Sequence, residues 1–304
     1  MPRTWNLPQE LQELKMCQEQ YARVGQSPTK RRLAQFPMIV KPDQMSQGKG
    51  ISLTFDVDKI DMREPVVVQE YLNEPLLLDG LKFDLRLYVL VLSCDPLKIY
   101  IHKEGLVRFC TQEYKPIDCH TTQNELKNMY VHLTNYSLNK MNADFKQAES
   151  CEDRTSHKRT TTQVMEQLKE KGIDTSRIWE DMTDLITKTM ICIQPELSHS
   201  YRMSQPADVE NRMCFELLGF DIILNRQEKP ILLEVNHAPS FATDSPLDYD
   251  VKRQLFVDMF TLIGLTIERK QQKLMQTYEE KISRLFTRLT KEQKIMKVRQ
   301  ILEQ

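Results

Sequence analysis

Residues 220–236 read FDIILNRQEKPILLEVN: an apolar run, a polar stretch, and a second apolar run ending in Glu234-Val235-Asn236. Short runs rich in Ile, Leu and Val, split by a polar turn at Asn225–Lys229, predict an antiparallel hairpin with strands over 216–224 and 230–236. In the symmetric register the turn centre falls between Gln227 and Glu228, and Asp221 lies opposite Glu234. Strand side chains repeat every second residue, so Asn236 joins Glu234 on one face. Two facing carboxylates repel unless something positive sits between them. With an amide oxygen added they form a hard-oxygen set, suited to a Mg²⁺ ion that keeps waters and binds phosphates. The competing reading is a strand end whose acids face water.

Working outward, Phe83–Cys94 and Leu97–His102 flank the turn signal Asp95-Pro96 and predict a second hairpin. Strands are predicted at Phe36–Val40 and Pro65–Tyr71, with β-like character at Ile51–Phe55, and helices over 7–24, 178–192 and most of 251–304. From about Asn139 to Gln163 the chain is polar and reads as an exposed loop. Long hairpins mixed with helices argue for an α+β fold rather than a regular βαβ repeat. Three further stretches carry reactive groups. In Lys82-Phe83-Asp84-Leu85-Arg86 the charged residues share one face, as a phosphate-binding set or as an ion-pair ladder facing solvent. YVHLTNYSLNK (130–140) is dense in hydrogen-bonding groups, and its His132, among apolar neighbours, reads as a structural histidine. MIVKPDQMSQGKGI (38–51) places Gly48 and Gly50 after Lys41, yet fits neither the G-x-x-x-x-G-K-[ST] nor the G-x-G-x-x-G template.

The 304 residues suffice for one large domain or two interlocked ones, and the net charge of −1 gives no global pull toward nucleic acid or membrane. Seven scattered cysteines without a C-x-x-C pair argue against a disulfide framework or a cysteine-rich zinc site. No apolar leader and no apolar window of about 18 residues is present, so a monomeric, reduced, cytosolic protein is expected. The last 38 residues are different in kind. Residues 267–304 carry a net charge of about +5, with Leu274, Tyr278, Ile282, Leu285 and Leu289 on one helical stripe and a capping box at Thr290/Gln293. Such a helix either packs as a solvated amphipathic element or offers a cationic face to an acidic partner.

In order, KPDQMSQGKGI, VVQEYLNEPLLLDGLKFDLRLYVLV, YVHLTNYSLNK and LGFDIIL…PILLEVNHAPSF resemble the tubulin tyrosine ligase-like family, and most closely its polyglutamylase branch. The resemblance runs from about Pro2 to about residue 265 and implies an ATP-grasp fold with the nucleotide between two α+β lobes and a C-terminal helical extension. It implies lobes over 1–80 and 81–265, an extension over 266–304, and the lack of the N-terminal lobe of longer members. The activity implied is ATP-dependent ligation of free L-glutamate to glutamates of tubulin tails through an acyl phosphate. An inactive microtubule-binding member, or a ligase for glycine or tyrosine, is the alternative. The cellular setting implied is the cytoplasm and cytoskeleton, including cilium or basal body.

Carried over by position, Lys41, Gln47, Gly48, Lys82, Phe83, Asp84, Thr134 and Asn135 would contact ATP, with Gln69, Glu70, Tyr71 and Leu72 beside the adenine. Asp221, Glu234 and Asn236 would hold Mg²⁺, Glu234 also counting as catalytic, and Arg86 would stabilise the transferring phosphoryl group. Arg108, Tyr136, Ser137 and Lys158 would hold the incoming glutamate, and Gln47 and His237 would meet the acceptor protein. Met45 and Ser46 depart from the Gly-Cys pair frequent in the family at the lid.

Overall fold

The computed structural model describes residues 1–24, 36–43, 48–118, 120–148, 153–206, 208, 213–264 and 266–285, together with 290, 292, 293, 295 and 296. The stretch 28–32, which reads PTKRR, lies outside the described residues, as do Met45, Ser46, Gln47 and Leu289. Contacts group the chain into two units, Met1–Leu255 and Phe256–Gln304.

The first unit opens with β1 (Thr4–Leu7), α1 (Leu11–Val24), β2 (Met38–Pro42), β3 (Ser52–Thr54) and β4 (Val66–Glu70). These strands form an antiparallel sheet ordered β1-β4-β2-β3. Leu14 of α1 packs on Trp5, Leu7, Met38 and Val68, which closes one face of that sheet. Next come β5 (Leu77–Leu78), β6 (Leu81–Cys94), β7 (Leu97–Ile101), β8 (Leu106–Phe109) and the one-turn helices α2 (Gln123–Leu126), α3 (Met129–His132) and α4 (Tyr136–Asn139). They are followed by β9 (Lys158–Thr160), α5 (Thr161–Glu170), α6 (Thr175–Ser204), β10 (Glu216–Leu224) and β11 (Pro230–Asn236). A second antiparallel sheet runs β11-β10-β6-β8-β9, with β5 and β7 also pairing β6. Helix α7 (Pro246–Ile263) begins in the first unit and ends in the second, which also holds α8 (Ile267–Leu285).

Strand β6 divides the unit chemically. Phe83, Leu85, Leu87 and Val89 enter one core with Val164 and Leu168 of α5 and with Ile178, Met182, Ile186 and Met190 of α6. By the two-residue period, Lys82, Asp84 and Arg86 belong to the opposite face. The mixed helix–sheet class and both predicted hairpins are present, the later one with its predicted boundaries and the earlier one shifted by one or two residues at its ends. Two expectations fail. Thr4–Leu7 is a strand paired to β4, which the helical pattern over 7–24 concealed. The supposed loop at 139–163 ends in β9 and the start of α5, with Ser156 to Thr161 and Gln163 buried.

Most polar groups of that segment are paired, the Thr161 hydroxyl being buried without a hydrogen-bond partner among the described residues. Arg159 reaches Asp79 at 3.1 Å and Gln167 at 2.9 Å, and lies over the Phe109 ring at 4.3 Å. Thr160 and Gln163 form a reciprocal capping box that starts α5. In the second unit Leu274 and Tyr278 are exposed, and Thr290 and Gln293 exchange the hydrogen bonds of a capping box.

In the turn into β8, Gly105 leaves less room for a β-carbon than Gly48, Gly80, Gly172 or Gly219. A β-carbon on Gly105 would lie 2.5 Å from the Arg86 carbonyl oxygen and 2.8 Å from Thr161 Oγ1. Because the first obstacle is backbone, Gly105→Ala has to displace β6 or β8, an overpacking cost of about 1–3 kcal/mol. The urea midpoint of the variant should fall accordingly, and an unchanged midpoint would show that the strands yield freely.

Candidate functional site

Between the small sheet and the charged face of β6 lies a cavity of about 300 Å³. Lys41, Gly48 and the run Gln69 to Leu72 line it from one side; Lys82, Asp84 and Arg108 from the other; Thr134, Asn135, Asp221, Glu234 and Asn236 complete it. Residues scattered over two hundred positions thus meet in one space. Phe83 does not join them; its side chain lies in the core on the other face of β6. Arg86, Tyr136, Ser137, Lys158 and His237 are not among the lining residues. Pro2, Ile39, Pro42, Ile51, Leu133, Ile223 and Leu233 line it as well and carried no individual sequence signal, and His132, read from sequence as structural, also lines it.

The facing acids come about by a bulge. Near the turn the register is Leu224↔Pro230 and Ile222↔Leu232, so the turn centres on Gln227 rather than between Gln227 and Glu228. Continued unbroken, that register would set Asp221 against Leu233. A shift between Asp221 and Ile222 inserts Leu233 as an extra residue, and Asp221 pairs with Glu234 after all.

Asp221 is buried and ion-paired. Arg86 holds it through two nitrogens, Nη2–Oδ2 at 2.8 Å and a closer Nε–Oδ1 contact. Arg108 Nη2 donates to the same Oδ2 at 2.8 Å and also grips Asp84, with Nε–Oδ1 at 3.1 Å. Burial alone would push the Asp221 carboxyl up, but Arg108 and Arg86 hold it far below the usual carboxylate range. Glu234 reaches solvent at the cavity mouth, yet desolvation first, then Asp221, raises its carboxyl, while Asn236 donates to it at 3.2 Å. Lys41 bonds Gln69 at 3.0 Å, and burial lowers its ammonium against the pull of Glu234 and Asp221.

The donor set fits a hard divalent ion only in part. Among the described residues no three His, Cys, Asp or Glu side chains are grouped to hold a metal. Two carboxylates and an amide would need phosphate oxygens and water to complete six ligands, which is the usual situation of Mg²⁺.

Near the apolar end, the Glu70 and Tyr71 amides already donate to the carbonyls of Arg3 and Pro37, both at 2.9 Å. The Leu72 amide has no hydrogen-bond partner among the described residues, so a planar ligand edge would meet that amide and the adjoining carbonyls. Gly48, at φ +81°, approaches Asn135 so closely that a β-carbon would lie 3.1 Å from its side chain. Asn135 sits in a turn buttressed by Asn139, whose Nδ2 donates to the Leu133 and Asn135 carbonyls at 2.7 and 3.0 Å. Asn139 Oδ1 accepts from Thr111 N and Oγ1 at 3.0 Å each, so this buried amide is fully used.

A second charged cluster lies along the same sheet face. The register Arg108↔Lys158 makes those two cations cross-strand neighbours. Lys158 Nζ bonds Asp248 at 2.5 and 2.7 Å and sits 4.3 Å from the Tyr136 ring centre. Asp248 also accepts from Ser245 at 2.8 Å and meets Lys252 at 3.3 Å. Sequence reading missed Asp248, since an acid in the first turn of a helix is ordinarily a cap. Its pairing is testable by stability. Asp248→Asn leaves two buried ammonium groups facing a neutral amide and should cost about 3–5 kcal/mol in urea unfolding. A loss below about 1 kcal/mol would mean that Lys158 and Lys252 find other partners.

A profile of the tubulin-tyrosine ligase family matches residues 1–273. The chain is 41% identical over 303 residues to a "Probable beta-tubulin polyglutamylase" of Tetrahymena thermophila, covering 98% of this chain and 24% of that protein. It is 41% identical over 288 residues to tubulin polyglutamylase TTLL7 of Xenopus tropicalis, covering 94% and 30% of the two chains. With tubulin polyglutamylase TTLL6 of Mus musculus the identity is 42% over 264 residues, covering 87% and 30%. The chain therefore spans 24–30% of the length of these curated relatives. On the profile match and these identities, the chain belongs to the tubulin-tyrosine ligase family.

Proposed function

We propose that this chain carries the ligase site of a tubulin polyglutamylase, using ATP to attach free L-glutamate to glutamates in the acidic tails of tubulin. The observation that carries this reading is the meeting of Asp221, Glu234 and Asn236 with Lys41, Lys82 and Arg108 in one cavity, in a chain whose relatives are named tubulin polyglutamylases. The two sheets are read as the lobes of an ATP-grasp site. The Leu72 amide and neighbouring carbonyls would read the adenine edge, with Thr134 and Asn135 beside the nucleotide and Gly48 in a closing loop. Lys41 and Lys82 would meet the phosphates. Asp221, Glu234 and Asn236 would hold Mg²⁺, which when bound supplies charge neutralisation at the γ-phosphoryl group.

In the reaction, an acceptor carboxylate oxygen attacks the γ-phosphorus and the bond to ADP breaks, leaving an acyl phosphate. The glutamate amine then forms the C–N bond, phosphate departs, and the amine proton goes to solvent. The protein's part is positioning and electrostatics. Arg86, held on Asp221, sets that carboxylate's charge and direction, and would reach a phosphoryl group only by turning away from it. Arg108 and Lys158 would supply two cations for a substrate with two carboxylates, beside Tyr136 and Ser137. His237 and Gln47 would face the acceptor. The basic extension over 266–304 would dock on acidic microtubule surfaces, placing the activity on the cytoskeleton, cilia included.

The test is mass spectrometry of tubulin tails after incubation with the chain, ATP and labelled glutamate. Added glutamates should appear, and Glu234→Gln should lower their rate at least about 100-fold. Incorporation of glycine in preference to glutamate, or full activity of the variant, would sink the reading. A second expectation concerns Lys82. Burial pushes its ammonium down to about 8, aided by Lys41 and opposed by Cys110 and Asp84. Bound phosphates favour the protonated form, so affinity should be greatest below pH 8 and weaken as pH rises through that value. Binding at pH 8 should take up about half a proton. Calorimetry in two buffers of different ionisation enthalpy reads this directly, and zero uptake would remove Lys82 from the phosphates.

A further inference from the structure

The ring of His132 is used by none of the steps above, yet its residue is only 4% exposed and lines the cavity. Its Nδ1 lies 3.0 Å from the Tyr71 hydroxyl, with the two rings edge to face at 5.7 Å. Lys82 Nζ donates to that hydroxyl at 3.1 Å and to the His132 backbone carbonyl at 2.8 Å, and sits 4.3 Å from the Tyr71 ring centre.

The donors fix the direction of this chain. An ammonium has protons and no lone pair, so the Tyr71 oxygen must accept from Lys82. The His132 ring also hydrogen-bonds the Glu125 carbonyl, which can only accept, so in the neutral ring the proton sits on that side and Nδ1 is the bare nitrogen that takes the Tyr71 proton. The Tyr114 hydroxyl, the nearest other phenol, donates to the Asn73 carbonyl at 3.0 Å. Burial, then Lys82, lowers the His132 imidazolium to about 4 against the pull of the Glu125 carbonyl, so the ring stays neutral across the physiological range. The sequence runs Lys82 to Tyr71 to His132, every bond donated the same way.

We propose that His132 is a positioning residue that aims Lys82 at the nucleotide phosphates, holding the ammonium twice: directly by its carbonyl, and by its ring through the Tyr71 hydroxyl. Two of the three ammonium protons are thereby committed to protein, and the third is left for the cavity. The aim at phosphates rests on the nucleotide reading given above; the hold on Lys82 does not.

Two readouts separate the parts. The first needs no ligand: the rate at which Lys82 is acetylated at fixed pH, measured by mass spectrometry against Lys41 in the same chain. His132→Phe removes the ring acceptor, and Tyr71→Phe removes a single oxygen and serves where the histidine variant fails to fold. Either should change the Lys82 rate about threefold or more, the worth of one neutral hydrogen bond. His132→Asn, whose Oδ1 replaces Nδ1 as acceptor, should restore it. The second readout is affinity: the dissociation constant for ATP with Mg²⁺ should rise about threefold to tenfold in both phenylalanine variants, and no further in the double variant. The KM for glutamate should stay within about twofold. Unchanged Lys82 labelling in a folded Tyr71→Phe or His132→Phe chain overturns the proposal, as does His132→Asn behaving like His132→Phe. Altered labelling in a wild-type background that binds no ATP would uphold the positioning and overturn its aim at phosphates.

Discussion

The site depends on one buried carboxylate shared by two arginines. Asp221 on β10 lies beside Arg86 on β6, and Asp84 on β6 lies beside Arg108 on β8. Arg108 bridges the two acids, so three strands are joined by a balanced group of two cations and two anions. A charge removed from water is tolerable only when paired. A one-residue slip of any of the three strands would turn its charged residue into the apolar core under α5 and α6. The ion group therefore works against misregister as well as toward function, and Lys158 extends the same row to β9.

The bulge at Leu233 has a similar dual character. Without the extra residue, Glu234 would lie opposite Phe220 and face the core that holds Phe220, Ile222 and Leu232. With it, β11 keeps its apolar contacts near the turn and presents Glu234 and Asn236 to the cavity beyond. The strand satisfies packing at one end and chemistry at the other, and the change of register between them is what lets it do so.

Much of this was legible in the sequence. Alternation in FDIILN, PILLEVN and KFDLRLYVLV placed the acids and cations on one face, because a strand's period follows from local sterics alone. The bulge was not legible, since a symmetric register gave the right partner for Asp221 by a wrong turn centre. Nor was the burial of Ser156 to Thr161. Polar composition there reads as loop, and only Asp248, Asp79 and Phe109, distant in sequence, make its burial possible. His132 was assigned to structure for a sound reason, that a histidine among apolar neighbours is ordinarily part of the core. What singles it out is the tyrosine whose proton it accepts, sixty-one positions away.

The charges of the cavity also constrain what can fill it. Lys41, Lys82 and Arg108 line it together with Asp84, Asp221 and Glu234. Lys41 and Lys82 are both lowered by burial, so the space disfavours their cations, while Glu234 is raised, so it disfavours that anion too. A metal ion alone would relieve Glu234 but would meet Asp221 already held by Arg86 and Arg108. A polyanion alone would relieve the lysines but would face Glu234 at close range. An occupant carrying both signs, anionic toward the lysines and cationic toward the acids, relieves every strained group at once. A phosphate chain with a divalent ion has that distribution, while the arginines on Asp221 keep the buried acid paired within the protein itself.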